Sequence, residues 1–451
     1  MNIEIQSTPR QLGFWMCIAL VVGNIIGSGI YMLPASLAPY GLNSVWAWLL
    51  TTIGAMVLAM VFAGLSRAFP NAGGPYEYTR MAFGDLPAFV VAWGYWISVW
   101  VGNAAIATGS VSYLSNLLPW IAEVPGASAA VTVFFVWVLT AVNVYGVRAV
   151  GKVQVATTIL KLLPLLAIAG LGVYLAMTGS SQLNNPHFIT TPFSLSAVTA
   201  AATLTLWALT GLESAAVAAN KVRDPARTIP RATLIGTALS AGLYILACTA
   251  VMVLIPAESL VHSNAPFADA ASLFWGSSAA HWLALFAAIS GFGALNGFIL
   301  LQGELPLQMA KNGVFPKIFA HESPRQTPTF ALCLTSTLVT VLVLMNYRKS
   351  MLDVFTFMIL LATTATLVMY LVCALATLKM LRSGQLAASG KHTVWLGMAG
   401  VLGALYALWA LIGAGKEAVF WGFVLLAMAV PVFYAMRKPR NAVDLHPPAL
   451  G

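Results

Sequence analysis

Apolar runs recur along the chain at 14–37, 42–65, 86–114, 129–147, 153–177, 197–219, 232–255, 281–310, 330–345, 354–380, 395–414 and 418–436, separated by shorter polar stretches. A run of about 20 residues is what an α-helix needs to cross the hydrocarbon of a bilayer, so the pattern predicts twelve transmembrane helices. The first run is interrupted at its centre by Gly23-Asn24-Ile25-Ile26-Gly27-Ser28-Gly29. Glycine and small polar residues weaken a helix, and each unpaired backbone group in hydrocarbon costs several kcal/mol. Such a break survives where it lines a cavity. Discontinuous helices near the bilayer midplane expose half-helix ends to a bound solute, amides toward anions and carbonyls toward cations. A zwitterion such as an amino acid offers both charges.

The sixth run carries a second interruption, in Leu204 through Ser214, where Thr210, Gly211 and Glu213 fall mid-span. Paired interrupted helices in corresponding positions of two halves are a pointer to a transporter's site. Segments one to five (14–177) and six to ten (197–380) then form an inverted repeat. The last two helices (395–436) are an addition, and 441–451 is a short cytoplasmic tail behind a single transmembrane domain spanning 1–440.

Composition strengthens the membrane reading. Hydrophobic residues make up 60% of 451 and charged residues 8%, against roughly a quarter charged in soluble domains. With the N-terminus placed in the cytoplasm, 18 of the 22 Lys and Arg fall on the inner side, while Arg348, Lys349 and Lys416 lie outside and Lys161 lies within a span. The positive-inside rule therefore favours two cytoplasmic termini. The net charge of +9 reports topology rather than a nucleic-acid partner, since the short loops lack the aromatic interleaving of a nucleic-acid groove. The first apolar run is too long for a cleavable signal peptide.

Cys17, Cys248, Cys333 and Cys373 have no paired spacing, and the six histidines fall in loops or at helix ends. Neither a metal site nor a disulfide framework is suggested. No nucleophile and base pair or H-E-x-x-H motif points to an intramembrane hydrolase. No cofactor is expected.

At this point the motifs resemble a family. Gly23 through Ile30 followed by Leu33-Pro34, Trp207 through Ser214, and Arg67 with Pro70 through Tyr76 are similar to signatures of the amino acid/polyamine/organocation transporters, in order, over about 10–440. Within that superfamily Tyr95-Trp96, Trp100 through Asn103 and Gly303 through Phe315-Pro316 look most like the bacterial arginine/agmatine antiporter branch. The resemblance implies a LeuT-type fold of five plus five helices with two more, a bacterial inner-membrane location, and sodium-independent transport by alternating access. It implies that the amides of Ser28 and Gly29 hold a substrate carboxylate at a helix N-terminus. The carbonyls of Ile25, Trp207 and Thr210 would accept from its ammonium, and Asn103 would offer an amide to a polar side-chain head. Ser98, Ile106 and Phe298 would line the side-chain pocket, with Trp207 closing it; Asn24 and Tyr95 complete the implied set. Phe298 stands where that branch has tryptophan, a stronger cation-π face.

Two ionisable residues carry the expected coupling. Lys161 lies a third of the way into the fifth helix, where proton-coupled, sodium-independent relatives also resemble this chain in having lysine. Burial disfavours a charged ammonium. Glu213 is an intramembrane carboxylate and a functional candidate by default; Glu304, nearer the inner end of the eighth helix, reads as a structural residue that snorkels or pairs with a loop cation. The leading expectation is exchange of a basic amino acid for its decarboxylated amine. The rivals are proton-coupled uptake of a neutral amino acid and an amino-acid-binding membrane sensor, which would be expected to carry an output domain. The expected partners are a small-molecule substrate and the lipid bilayer; a proton as coupling ion and a homodimer are left open.

Overall fold

The computed structural model describes residues 13–69, 74–145, 161–179, 188, 190–212, 222–325, 327–386 and 391–436, and these are overwhelmingly helical. Among them eight helices are long and apolar enough to cross a membrane: Asn43–Ala68, Asp85–Leu117, Ala127–Tyr145, Pro225–Leu254, Pro266–Lys311, Met351–Arg382, Thr393–Gly413 and Lys416–Met436. Shorter apolar helices lie in the first, fifth, sixth and ninth predicted runs. In order, we label α1 Phe14–Ile25, α2 Leu33–Leu37, α3 Asn43–Ala68, α4 Pro75–Phe83, α5 Asp85–Leu117, α6 Ala127–Tyr145, α7 Leu162–Met177 and α8 Leu195–Ala208. These are followed by α9 Pro225–Leu254, α10 Pro266–Lys311, α11 Thr329–Met345, α12 Met351–Arg382, α13 Lys391–Gly413, α14 Lys416–Ala427 and α15 Ala429–Met436.

Both predicted interruptions are present as backbone breaks. In α1 the last intrahelical bond runs from Ile26 N–H to Val22 C=O, 2.8 Å. Ile26 then leaves helical space (φ −75°, ψ 83°) and Gly27 is extended (φ −94°, ψ −176°). The chain resumes as a 3-10 turn over Ser28–Tyr31 and enters α2, whose five residues are all buried. In the sixth run α8 stops at Ala208, and Leu209 to Leu212 form a turn in which Gly211 takes φ +100°, a conformation that favours glycine.

The core forms around the broken elements. Helix α5 packs along α10 and α12, while α9 packs on α1, α3 and α7. Helix α13 lies against α3, α8 and α12. At one end of α5, Phe89, Trp93 and Trp96 interlock with Phe315 and Phe319 at ring centroids 5.2–6.1 Å apart, fixing the segment after α10. Arg80 in α4 meets Asp85 at 3.1 Å and Glu77 at 3.9 Å, organising the α4–α5 corner.

One element starts far earlier than its apolar run. Helix α10 begins at Pro266, fifteen residues before the predicted 281, and is interrupted at Gly276 (φ +78°, ψ 177°). The added piece has proline in its first turn, where a missing N–H is harmless, and Asp269 toward the positive end of the helix dipole. Its polar and small residues hid it from a search for apolar runs.

Candidate functional site

The two breaks face one cavity of about 430 Å³. Its wall includes Gly23, Ile25, Gly27 and Gly29 from the first break and Trp207, Ala208, Thr210 and Gly211 from the second. Tyr95, Ser98, Val99, Gly102 and Ile106 come from α5; Ala294, Gly297, Phe298, Leu300, Leu301 and Glu304 come from α10. Lys161, Tyr244 and Thr366 close the remaining sides. Of the predicted site residues, Ile25, Gly29, Tyr95, Ser98, Ile106, Lys161, Trp207, Thr210 and Phe298 therefore share one wall. Glu213 lies outside the described residues, and of Asn24 and Ser28 only the backbone is described.

A helix end leaves its last carbonyls without intrahelical partners, and at the end of α1 other helices supply them. The Lys161 ammonium, at the start of α7 and 3% exposed, donates to Gly23 C=O at 2.5 Å. A cation at the negative end of a helix dipole is favourably placed. The Tyr244 hydroxyl from α9 donates to Ile25 C=O at 2.8 Å, and the Gly27 backbone lies within its hydrogen-bonding reach. Tyr244 thus straddles the break. Tyr31, just beyond it, donates its hydroxyl to the Lys161 carbonyl and accepts at its own carbonyl from Tyr113 Oη at 2.8 Å. The start of α7 is tied to both halves of the first helix.

At the second break the Thr210 hydroxyl donates to Trp207 C=O at 2.7 Å. The Trp207 indole occupies a slot made by two glycines. A Cβ on Gly29 would stand 2.5 Å from Trp207 Nε1, and one on Gly102 would stand 2.7 Å from Trp207 Cη2. Real Cβ contacts are not that short, so the ring fits only because both side chains are absent.

Asn103 does not reach the wall. It is fully buried behind Gly102 and donates to Gln302 Oε1 at 2.6 Å, while Gln302 donates to Ser336 Oγ at 3.0 Å and Ser336 meets Thr140 at 2.7 Å. Its Oδ1 has no hydrogen-bond partner among the described residues. Conversely, Tyr244, Thr366 and Glu304 line the cavity without having been singled out as substrate residues. Tyr244 and Thr366 read in sequence as ordinary members of apolar helices. Glu304, expected as a structural residue, stands in the cavity wall.

The arrangement offers carbonyl acceptors and a hydroxyl beside a cavity floored by glycine backbone, with aromatic faces at Tyr95, Trp207 and Phe298. It suits a small solute with a charged head and a partly apolar body. No group of three or more His, Cys, Asp or Glu able to hold a metal occurs among the described residues.

Comparison with known proteins agrees with this picture. A family model described as amino acid permease matches residues 12–434. The chain is 32% identical over 406 residues to a "Putative arginine/ornithine antiporter" of Bacillus subtilis (strain 168), covering 83% of this chain and 86% of that protein. It is 34% identical over 350 residues to a "Cadaverine/lysine antiporter" of Escherichia coli (strain K12), covering 75% and 76%. It is 30% identical over 424 residues to "Putrescine transporter PotE" of Haemophilus influenzae, covering 93% and 96%. With both helix breaks converging on one solute-sized cavity and a match over nearly its whole length, the chain belongs to the amino acid permease family of the APC superfamily, a family of membrane transporters rather than enzymes.

Proposed function

We propose that the protein is a secondary active transporter of the bacterial inner membrane that exchanges a basic amino acid for its decarboxylated amine by alternating access. The observation that carries this reading is the convergence of the two broken helices on a single cavity. The relatives' names support the substrate class, since they pair a basic amino acid with ornithine or cadaverine, or specify putrescine. The proposal includes twelve spans with cytoplasmic termini, in two inverted repeats at 14–177 and 197–380 followed by helices within 395–436; inverted repeats meeting at broken helices are a recurring plan of alternating-access transporters.

In the proposed binding mode the carboxylate of the amino acid rests on the Ser28 and Gly29 amides. Its ammonium takes the carbonyls of Ile25, Trp207 and Thr210, and its side chain runs along Ser98, Ile106 and Phe298, with Asn24 and Tyr95 near the head group. Asn103 joins the side-chain head only if its amide turns from Gln302. Trp207 closes the site on the side of the 3-10 turn; the cavity wall continues toward Gly23, Tyr95 and Glu304, which lie on the cytoplasmic side in the proposed topology. Lys161 and Glu213 serve coupling.

Exchange is tested in proteoliposomes preloaded with lysine, arginine, cadaverine, agmatine or putrescine, with and without a pH gradient. Uptake of labelled substrate stimulated by unlabelled internal solute is expected. Uptake indifferent to the internal solute and driven by the gradient alone would replace exchange by proton-coupled import. That second reading draws on one observation, the Lys161 ammonium seated on the end of α1 in the cavity wall.

A further inference from the structure

Helix α13 lies outside the two proposed repeats, yet its last turns hold α8, the segment that carries Trp207 next to its end. The Thr203 hydroxyl donates to Ala410 C=O at 2.7 Å. Ala410 is among the last four residues of α13, whose carbonyls have no intrahelical partner, and such a group is costly to leave unpaired within a membrane. Thr203 therefore caps α13 from a neighbouring helix. Three residues farther on, the two elements come together at Gly413. A Cβ there would stand 2.1 Å from the Thr199 carbonyl oxygen and 2.5 Å from Thr203 Oγ1. The first of these atoms is backbone inside α8, so no side-chain rotation makes room for it.

Apolar packing carries the contact to the cavity. Leu206 of α8 and Leu367 of α12 form one buried cluster with Ala407 and Ala410. Each leucine adjoins a cavity-lining residue, Leu206 next to Trp207 and Leu367 next to Thr366. Elsewhere α13 is anchored on other helices. Its Tyr406 ring fills a notch at Gly54 of α3, where a Cβ would meet the ring at 2.3 Å, and its Gly400 seats against Leu378 of α12. Helix α13 thus ties α8 to α3 and α12. Trp207 follows Thr203 by four residues, about 6 Å along the axis, and its slot between Gly29 and Gly102 has no slack. A small displacement of α8 is enough to unseat the ring.

We propose that Thr203, Ala410 and Gly413 are positioning residues for substrate closure: α13 fixes where α8 stands, and thereby whether Trp207 closes over the solute. This assignment rests on the transport reading above and deepens it, giving a helix outside the repeats a part in closure. None of the three is among the described residues of the cavity wall. They act through Trp207.

The test is equilibrium binding of labelled lysine to purified full-length protein for Gly413→Ala, Thr203→Val and Thr203→Ser, each alone and combined with Trp207→Phe. Gly400→Ala is the control, a methyl added elsewhere on α13, where it meets Leu378 at 2.9 Å. Gly413→Ala and Thr203→Val are expected to weaken lysine about fivefold or more, whereas Gly400→Ala and Thr203→Ser, which keeps the hydroxyl, change it less than about twofold. Beside the smaller ring of Trp207→Phe, the losses from Gly413→Ala and Thr203→Val should shrink to less than about twofold, because contacts that act through one ring are not additive with its replacement. Size-exclusion profile and thermal midpoint show which variants fold, and the Thr203 pair decides the matter if Gly413→Ala does not. Losses as large beside Trp207→Phe as beside Trp207, an equal loss in Gly400→Ala, or unchanged affinity in Gly413→Ala and Thr203→Val overturn the role of α13 while leaving the transport reading intact. Wild-type protein that binds neither basic nor neutral amino acids overturns the cavity as a solute site, and this assignment with it.

Discussion

The slot around Trp207 makes the most quantitative prediction. A methyl on Gly29 would sit 2.5 Å from Trp207 Nε1, where ordinary contact needs about 3.5–4.0 Å, so the indole has to retreat by about 1 Å. The free protein can relieve this by swinging the ring aside. The bound state, which needs the ring closed over the solute, cannot. Overpacking on this scale costs about 1–3 kcal/mol, so Gly29→Ala should weaken substrate binding roughly 5- to 150-fold. The same change also crowds the backbone amides proposed to hold the carboxylate, and a double-mutant cycle separates the two causes. If the indole is the obstacle, Trp207→Phe shrinks the ring and rescues Gly29→Ala, giving a coupling of about 1–3 kcal/mol by equilibrium binding of labelled lysine. Gly102→Ala, which meets the far edge of the same ring at 2.7 Å, should behave alike. Additivity of Gly29→Ala with Trp207→Phe within about 0.5 kcal/mol, or unchanged affinity in Gly29→Ala, would refute the idea that the two glycines exist to seat Trp207.

Phe298→Trp presents a stronger cation-π face to the cavity and should improve lysine or agmatine binding by about 2- to 10-fold over a neutral amino acid; equal changes for both would remove Phe298 from the side-chain path. Lys161→Ala should lose net gradient-driven uptake far more than it loses substrate binding, and wild-type transport should not respond to sodium; full pH-driven accumulation by the variant would exclude Lys161 from coupling. A cysteine introduced at Ser181, in the stretch between the fifth and sixth helices, should react with an impermeant maleimide in intact cells. Reaction only after permeabilisation would reverse the proposed topology.

Both helix breaks were legible because each violates a strong local rule. Glycine and small polar residues in the middle of an apolar run have no reason to persist against lipid, and the backbone leaves helical geometry inside the stretch Gly23 through Gly29, at Ile26-Gly27, and again around Thr210-Gly211. What stayed hidden depends on neighbours distant in sequence. Tyr244 is one aromatic in a long apolar helix, and only the fold brings its hydroxyl to Ile25, 219 residues away. The amide of Asn103 was legible as polar and buried, but its partner Gln302 lies 199 residues on. Glu304 reads in sequence as a residue near the inner end of its helix, and only the fold shows that the cavity wall reaches it. The helix from Pro266 to Trp275 escaped because an amphipathic segment ahead of a glycine kink has no long apolar run.

In the proposed mechanism the end of α1 would tie recognition to coupling. Its carbonyls at Gly23 and Ile25 already serve Lys161 and Tyr244, and the proposed binding mode brings a substrate ammonium to Ile25. Two residues apart on one helix end, the two cations would stand about 6 Å from each other, where at an effective dielectric constant of 20 their repulsion is about 3 kcal/mol. Substrate and the proton on Lys161 then oppose one another, and by linkage each weakens the other by the same factor. Tyr244 is neutral, so its hydroxyl on the Ile25 carbonyl adds no repulsion to an arriving ammonium. In the proposed mechanism Lys161 would supply the positive charge that joins the two halves of the helix, and the substrate would decide whether that charge is tolerated.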